Sequence, residues 1–277
     1  MPELPEVETI KNYLLPRVVG RRFTGITLLW LGMVRKLPPE EFCRRLVGRT
    51  VEDIRRRGKY LLFSLSSGEI LILHLKMSGF LLLRPSPAKP EPYTRALFHL
   101  DNGAELRFCD QRRFGTIWLV KDEAEIVGKL GPEPLDPGFT PEVLGRLLRQ
   151  HSMVIKALLF DQNIIAGIGN MYADEALFAA QIHPLRKARD LSWEEVKRLH
   201  EAIRRVLKAA IEQSGASVDT YQRPDGELGT AHFLFKVAHR DHELCYDCGT
   251  PIERILVRGR GTYFCPKCQG GKQPLLI

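Results

Sequence analysis

The sequence predicts an α+β protein of two domains, a β-rich first half behind a leading helix and a helical second half ending in a metal-binding module. Three observations carry this. Short apolar runs separated by turn residues dominate from about residue 23 to 120. Beyond residue 140, apolar residues recur at helical spacing, and two Cys-x-x-C pairs stand near the end. The stretch Gly131-Pro132-Glu133-Pro134-Leu135-Asp136-Pro137-Gly138 separates the two patterns, being too rich in breakers for any regular element. At 277 residues and 44% hydrophobic content, the chain holds enough apolar material for two cores.

Taken in order, Val7, Ile10, Leu14 and Leu15 predict a helix over 5–15 that Pro16 ends. Residues 60–65 and 70–75 flank Ser66-Ser67-Gly68 and predict a hairpin. Residues 96–100 and 105–108 around Asp101-Asn102-Gly103 predict a second, and 115–120 reads as a further strand. Short strands with regular turns imply a sandwich or flattened barrel. The four prolines of 84–92 mark a surface loop. In the second half the spacing predicts helices over 141–150, 153–160, 171–180 and 192–213. Between the second and third, residues 163–170 form a two-glycine turn running into Asn170, where helix N-terminal amides favour a phosphate. Asn also caps many helices that bind nothing. Residues 215–244 lack periodicity and read as a long loop.

The two ends carry the chemistry. Removal of Met1 would leave Pro2 with a free secondary amine, able to attack an aldehyde-level carbon and lose water to form an iminium. Reference α-amino groups titrate at about 7.7–8, so such an amine is partly unprotonated at neutral pH. Glu3 beside it can give or take a proton, while Pro5, Glu6 and Glu8 also suit an ordinary helix start. At the other end, Cys245 and Cys248 are separated by 16 residues from Cys265 and Cys268, a spacing that closes a tetrahedron of thiolates around Zn2+. No charged-then-apolar leader and no bilayer-length apolar run appears, and Cys43 and Cys109 stand alone in apolar surroundings, so reduced thiols in the cytoplasm are expected rather than disulfides. Lys plus Arg number 41 against 33 Asp plus Glu, a formal charge of +8. The basic residues cluster in Arg55-Arg56-Arg57-Gly58-Lys59 and, inside the cysteine loop, at Arg254, Arg258 and Arg260, which favours a polyanionic partner.

Together, Pro2-Glu3-Leu4-Pro5-Glu6-Val7-Glu8-Thr9, His74-Leu75-Lys76-Met77-Ser78-Gly79, Asp110-Gln111-Arg112-Arg113-Phe114-Gly115, Gly167-Ile168-Gly169-Asn170 and the four cysteines resemble the bacterial formamidopyrimidine-DNA glycosylases, over residues 2 to about 268. The resemblance implies an N-terminal β-sandwich with its leading helix over 1–131, a linker at 132–140, a helix–two-turn–helix domain with a lesion loop over 141–240, a zinc ribbon finger over 241–268 and a disordered tail over 269–277. It implies a monomer that acts on double-stranded DNA carrying oxidised purines, with one structural Zn2+ and no membrane. Pro2 would be the nucleophile, Glu3 the acid–base, Lys59 a proton donor in β-elimination and Arg260 a phosphate clamp linked to δ-elimination. Met77, Arg112 and Phe114 would enter the duplex, and His74, Tyr93, Arg113 and Asn170 would contact DNA. The chain departs from the family pattern at Tyr93-Thr94-Arg95, at Gln150-His151-Ser152 and at Ala238, where an aromatic is usual. Leu4 and the Met77/Arg112/Phe114 set argue against the endonuclease VIII branch. Pro2 and Glu3 argue against a non-catalytic DNA binder, since binding alone needs no free amine.

Overall fold

A computed structural model describes residues 1–86 and 89–270. The chain forms two compact units, Met1–Lys129 with Ile211–His232, and Leu130–Ala210 with the residues from Phe233 onward. The return of Ile211–His232 to the first unit differs from the sequence-based expectation, which keeps that segment with the helical domain. From residue 215 on no periodicity marks the segment, so only its tertiary contacts assign it.

The first unit begins with α1 (Leu4–Val18), whose inner face buries Leu4, Val7, Ile10 and Leu14. Pro16 lies inside this helix rather than ending it. Near a C-terminus a proline removes only one amide, and fully buried Val18 holds the last turn on the core. There follow β1 (Phe23–Leu28), α2 (Pro39–Leu46), β2 (Val51–Arg57), β3 (Tyr60–Leu65), β4 (Ile70–His74), β5 (Gly79–Pro85), β6 (Thr94–Leu100), β7 (Ala104–Asp110), β8 (Thr116–Val120) and α3 (Ala124–Val127). Two antiparallel four-stranded sheets result, in the orders β1-β6-β7-β5 and β2-β3-β4-β8. Phe23, Leu81, Phe98, Leu106 and Phe108 of one and Leu61, Phe63, Leu71, Leu73 and Ile117 of the other share one buried core. The alternatives of sandwich and flattened barrel therefore resolve to the sandwich. Helix α2 escapes the sequence pattern because Pro38-Pro39 reads as loop and only Phe42 and Leu46 turn inward.

In the second unit, α4 (Pro141–Arg149), α5 (Ile155–Leu159), α6 (Asn170–Ala179) and all but the last two residues of α7 (Trp193–Glu212) match the expected helices within a few residues. The hairpin of β9 (Glu253–Val257) and β10 (Arg260–Phe264) lies between the cysteine pairs. Phe178, Val237, Cys245, Ile252 and Cys265 form a small core beneath it. Of the expected tail, Gln269 is instead buried and ordered. Its side-chain oxygen accepts from Cys265 N at 2.8 Å and its amide donates to Ile182 O at 2.9 Å. Residues 271–277 lie outside the described residues.

Candidate active site and metal centre

Pro2 and Glu3 lie immediately before α1 and are both buried, Glu3 to 2% exposure. Their position is fixed by Glu6, whose Oε2 accepts the Glu3 amide at 2.7 Å and whose Oε1 accepts the Ala216 amide at 2.8 Å. With both carboxylate oxygens so engaged, Glu6 ties the chain start to the segment that carries Ala216. The Met1 amine lies 3.9 Å from the carboxylate of Asp219, three residues beyond Ala216.

Lys59 is buried in the tight turn between β2 and β3, which Gly58 permits with φ 56°. The neighbouring basic run is less available than its sequence suggests. Arg56 Nε pairs with Glu8 at 2.6 Å and Arg55 Nη2 with Glu123 at 2.5 Å. His74 ends β4, packed edge-on against Tyr60 with ring centroids 4.4 Å apart. Burial, aided by the positive charges of Lys76 and Lys59, pushes its pKa down to about 3. The imidazole is therefore neutral at pH 7. Because Nδ1 accepts the Lys76 amide at 2.9 Å, the proton sits on Nε2, leaving that nitrogen as a donor.

The lowered pKa has a stability consequence. The unfolded chain binds a proton at about 6.5 and the folded chain only near 3, so this group's stabilising share is complete above the unfolded value and is lost as pH falls through that window. Between pH 7 and 4.5, wild type is expected to lose on the order of 2–3 kcal/mol more than His74→Gln. Urea unfolding at both pH values measures this, and parallel losses would contradict it.

Met77, Arg112 and Phe114 come together on two adjacent turns. Arg112 Nη1 lies 3.4 Å from the Met77 sulfur, and its guanidinium carbon stands 4.8 Å over the Phe114 ring. Met77 is 45% and Phe114 48% exposed, so neither is a core residue. Their mount is Asp110, 1% exposed, whose carboxylate accepts from Ser78 Oγ at 2.5 Å, Gly115 N at 2.7 Å and Arg112 N at 3.1 Å. Lys76 and Arg113 take left-handed φ of 56° and 58° in these turns, backbone states that ordinary side chains adopt at a cost. A Cβ on Gly79 would collide with the Leu75 carbonyl oxygen, so the first turn cannot close around any other residue. Tyr93 is half exposed with φ 68°, and its carbonyl accepts the Asp110 amide at 2.9 Å. Arg113 is exposed at the turn's tip. Asp110 and Ser78 stand inside the sequence motifs with no task visible there. Only the fold shows one carboxylate tying both turns.

In the second unit, Asn170 opens α6 and its amide donates to the Gly261 carbonyl at 2.7 Å, linking the helix start to the finger. Lys156, fully buried, donates to Asn170 O and to Asp174 Oδ1, both at 2.6 Å. Burial raises the Asp174 carboxyl despite that partner. Glu175 accepts the amides of Lys236, Val237 and Ala238, anchoring the chain as it enters the finger. None of these three supports is legible in the sequence, since a lone buried Lys or Glu on a helix carries no spacing signal. Arg260 is exposed at the start of β10, its guanidinium carbon 5.0 Å from the Phe160 ring centroid.

The sulfurs of Cys245, Cys248, Cys265 and Cys268 all lie within 4.8 Å of one another, with 3.9 Å between Cys245 and Cys268 and 3.4 Å between Cys248 and Cys265. Zn–S bonds of about 2.3 Å require sulfurs roughly 3.8 Å apart, so the cluster fits a tetrahedral ion. No cysteine among them is disulfide-bonded. Four thiolates leave no place for a reacting water.

Family models match in the same order. They are the formamidopyrimidine-DNA glycosylase N-terminal domain over residues 1–117, its H2TH domain over 130–222, and the zinc finger found in FPG and IleRS over 242–270. With the sulfur geometry, the last makes the C-terminal site that of one structural zinc ion. Formamidopyrimidine-DNA glycosylases of Symbiobacterium thermophilum and Geobacillus kaustophilus are 47% and 43% identical to the chain. Each alignment covers 97% of this chain, and they cover 89% and 100% of those proteins. The crystal structure of the MutM (Fpg) protein from Thermus thermophilus superimposes with a TM-score of 0.88 at 41% identity, over 98% of this chain and 100% of that one. A complex of Lactococcus lactis Fpg with DNA containing an abasic site does so with a TM-score of 0.90 at 35% identity, over 97% and 100%. With the sandwich, the helical domain and the cysteine finger all matched along its length, the chain belongs to the formamidopyrimidine-DNA glycosylase family.

Proposed function

We propose that this protein is a monomeric, cytoplasmic base-excision enzyme that removes oxidised purines (8-oxoguanine and formamidopyrimidines) from double-stranded DNA and then cuts the strand. The observation that carries the reading is the exposed Met77–Arg112–Phe114 stack on its buried Asp110 mount. A purine inside the duplex hides its C1′, so the nucleotide must leave the helix and the gap must be filled. An unbranched apolar chain, a planar cation to face the orphaned cytosine and a ring to wedge the stack suit that task. The Fpg complexes with lesion-containing and abasic DNA among the similar structures support the same partner. No helix among the described residues is long and apolar enough to cross a membrane.

The Pro2 nitrogen, freed of Met1, forms a bond to C1′ as the glycosidic bond breaks and the base leaves with a proton. Glu3 donates a proton to the ring oxygen as the sugar opens, and the nitrogen's own proton is lost, giving the C1′ iminium. The iminium acidifies C2′. Loss of that proton expels the 3′ phosphate, and a second elimination expels the 5′ phosphate, leaving a one-nucleotide gap. Buried Lys59 lies near neutral His74, whose Nε2–H is a donor for a phosphate oxygen. Arg260 in the finger and Asn170 at the start of α6 would hold backbone phosphates, with Tyr93 and Arg113 flanking the stack. A fixed guanidinium fork suits two phosphate oxygens better than an ammonium does.

The deciding experiment is borohydride trapping on an 8-oxoguanine duplex followed by mass analysis of the adduct. Attachment at Pro2 is expected. Attachment at an interior lysine would overturn the mechanism, and no adduct at all would favour a non-catalytic binder. Equal excision of thymine glycol and 8-oxoguanine would favour a pyrimidine-directed relative.

A further inference from the structure

The segment from Ser214 to Thr230 has almost no regular structure, yet it is fastened to the sandwich near its start, in its middle and at its tip. At its base, Ala216 N donates to Glu6, the same carboxylate that accepts the Glu3 amide. Next, Thr220 Oγ1 donates to the Ser78 carbonyl at 3.3 Å, on the turn that carries Met77. Tyr221 is buried in the sandwich core at 4% exposure, and its hydroxyl donates to Ser214 O at 3.1 Å. The tip is a turn closed by Arg223, whose guanidinium pairs with Asp225 at 2.6 Å and Glu227 at 3.3 Å.

Strand β5 is the edge of its sheet, and its open side takes this tip. Leu83 N donates to Pro224 O at 2.8 Å, and Arg84 Nη1 donates to the carbonyls of Pro224 and Asp225 at 3.2 and 3.0 Å. A Cβ on Gly226 would lie 2.6 Å from Arg84 Nη2, so the turn closes directly over the guanidinium. The arginine is itself braced. Its Nε donates to Glu91 Oε1 at 3.2 Å, and the other Glu91 oxygen accepts from Arg107, which is fully buried and also bound to Glu105. Burial works against the Glu91 charge, but the two arginines hold its carboxyl below the usual range, so the brace is ionic at neutral pH.

We infer that Arg84 is a positioning residue for base excision, clasping the tip of the 214–230 segment so that its base fixes Glu6 and, through Glu6, the Pro2-Glu3 chain start. This rests on the proposed excision activity. A guanidinium that caps two carbonyls restrains the tip of a segment whose own backbone pairing is limited to the Ala216–Thr230 bridge and the turn at that tip. Loosening it leaves the phosphate-binding surface intact but blurs the placement of the amine, and small misplacements of a reacting group cost rate rather than affinity.

Arg84→Ala is expected to slow single-turnover excision of 8-oxoguanine by roughly tenfold, with affinity for undamaged duplex unchanged within about twofold. Amide exchange over 214–230 should accelerate while exchange over β3 and β4 stays as in wild type. Arg84→Lys, which keeps one donor, should recover part of the rate. The inference is overturned if Arg84→Ala excises at the wild-type rate, if exchange speeds up throughout the sandwich, or if rate and undamaged-duplex affinity fall together. A wild-type protein that fails to excise would instead refute the functional reading, so the two failures are distinguishable.

Discussion

A form of the protein in which the Pro2 nitrogen stays acylated, by Met1 or by an added residue that resists removal, is expected to lose strand cleavage at 8-oxoguanine by roughly 10³-fold or more, a barrier increase of about 4 kcal/mol. An amide nitrogen has no available lone pair and cannot form the iminium on which both eliminations depend. Pro2→Gly is expected to be crippled rather than silent, because it keeps an amine but loses the ring that fixes φ. Affinity for lesion DNA should persist in both, since the Met77–Arg112–Phe114 stack and the basic residues are untouched. Glu6 would still accept the residue-3 amide, so the fold should be unaffected. Gel-based nicking with parallel binding measurements checks this. Wild-type nicking by the acylated form would remove Pro2 from the mechanism.

Removing zinc should act in the opposite order, on binding before chemistry. Of the five buried residues in the core beneath the finger, the finger itself supplies only Ile252 and the metal ligands Cys245 and Cys265. So small a module depends on its ion, and structural zinc contributes on the order of 10 kcal/mol to isolated fingers. Without it, the β9–β10 hairpin loses its base and Arg260 its mount, while Asn170 loses its Gly261 partner. Affinity for lesion duplex is expected to fall roughly 10²-fold, and the salt dependence should flatten by about one phosphate contact, as in Arg260→Ala. The sandwich, with its separate core, should keep its thermal transition. Titration of chelator-treated protein measures all three, and unchanged affinity in fully zinc-free protein would contradict the assignment.

The sequence by itself determined the division into a β half and a helical half, the four cysteine ligands and the Pro2-Glu3 amine and acid, while the other candidate residues came only with the family resemblance. What it determined is written in local patterns. Period-two and helical repeats reflect which face is buried, Cys-x-x-C spacing reflects the geometry of one tight turn, and Pro2-Glu3 is adjacent in the chain. Tertiary structure decided what depends on residues far apart. Asp110 at the end of β7 reaches Ser78 just before the neighbouring β5, Lys156 reaches Asp174, and Glu175 captures the amides of 236–238. Arg55 and Arg56, which read as part of a basic patch, find Glu123 and Glu8. Residues 215–230 show no repeat because, beyond one Ala216–Thr230 bridge and the turn at the tip, their order comes from Glu6, Ser78 and Arg84. A hydrogen bond between distant segments leaves no period in either one, so these ties become visible only once the sheets have brought their ends together.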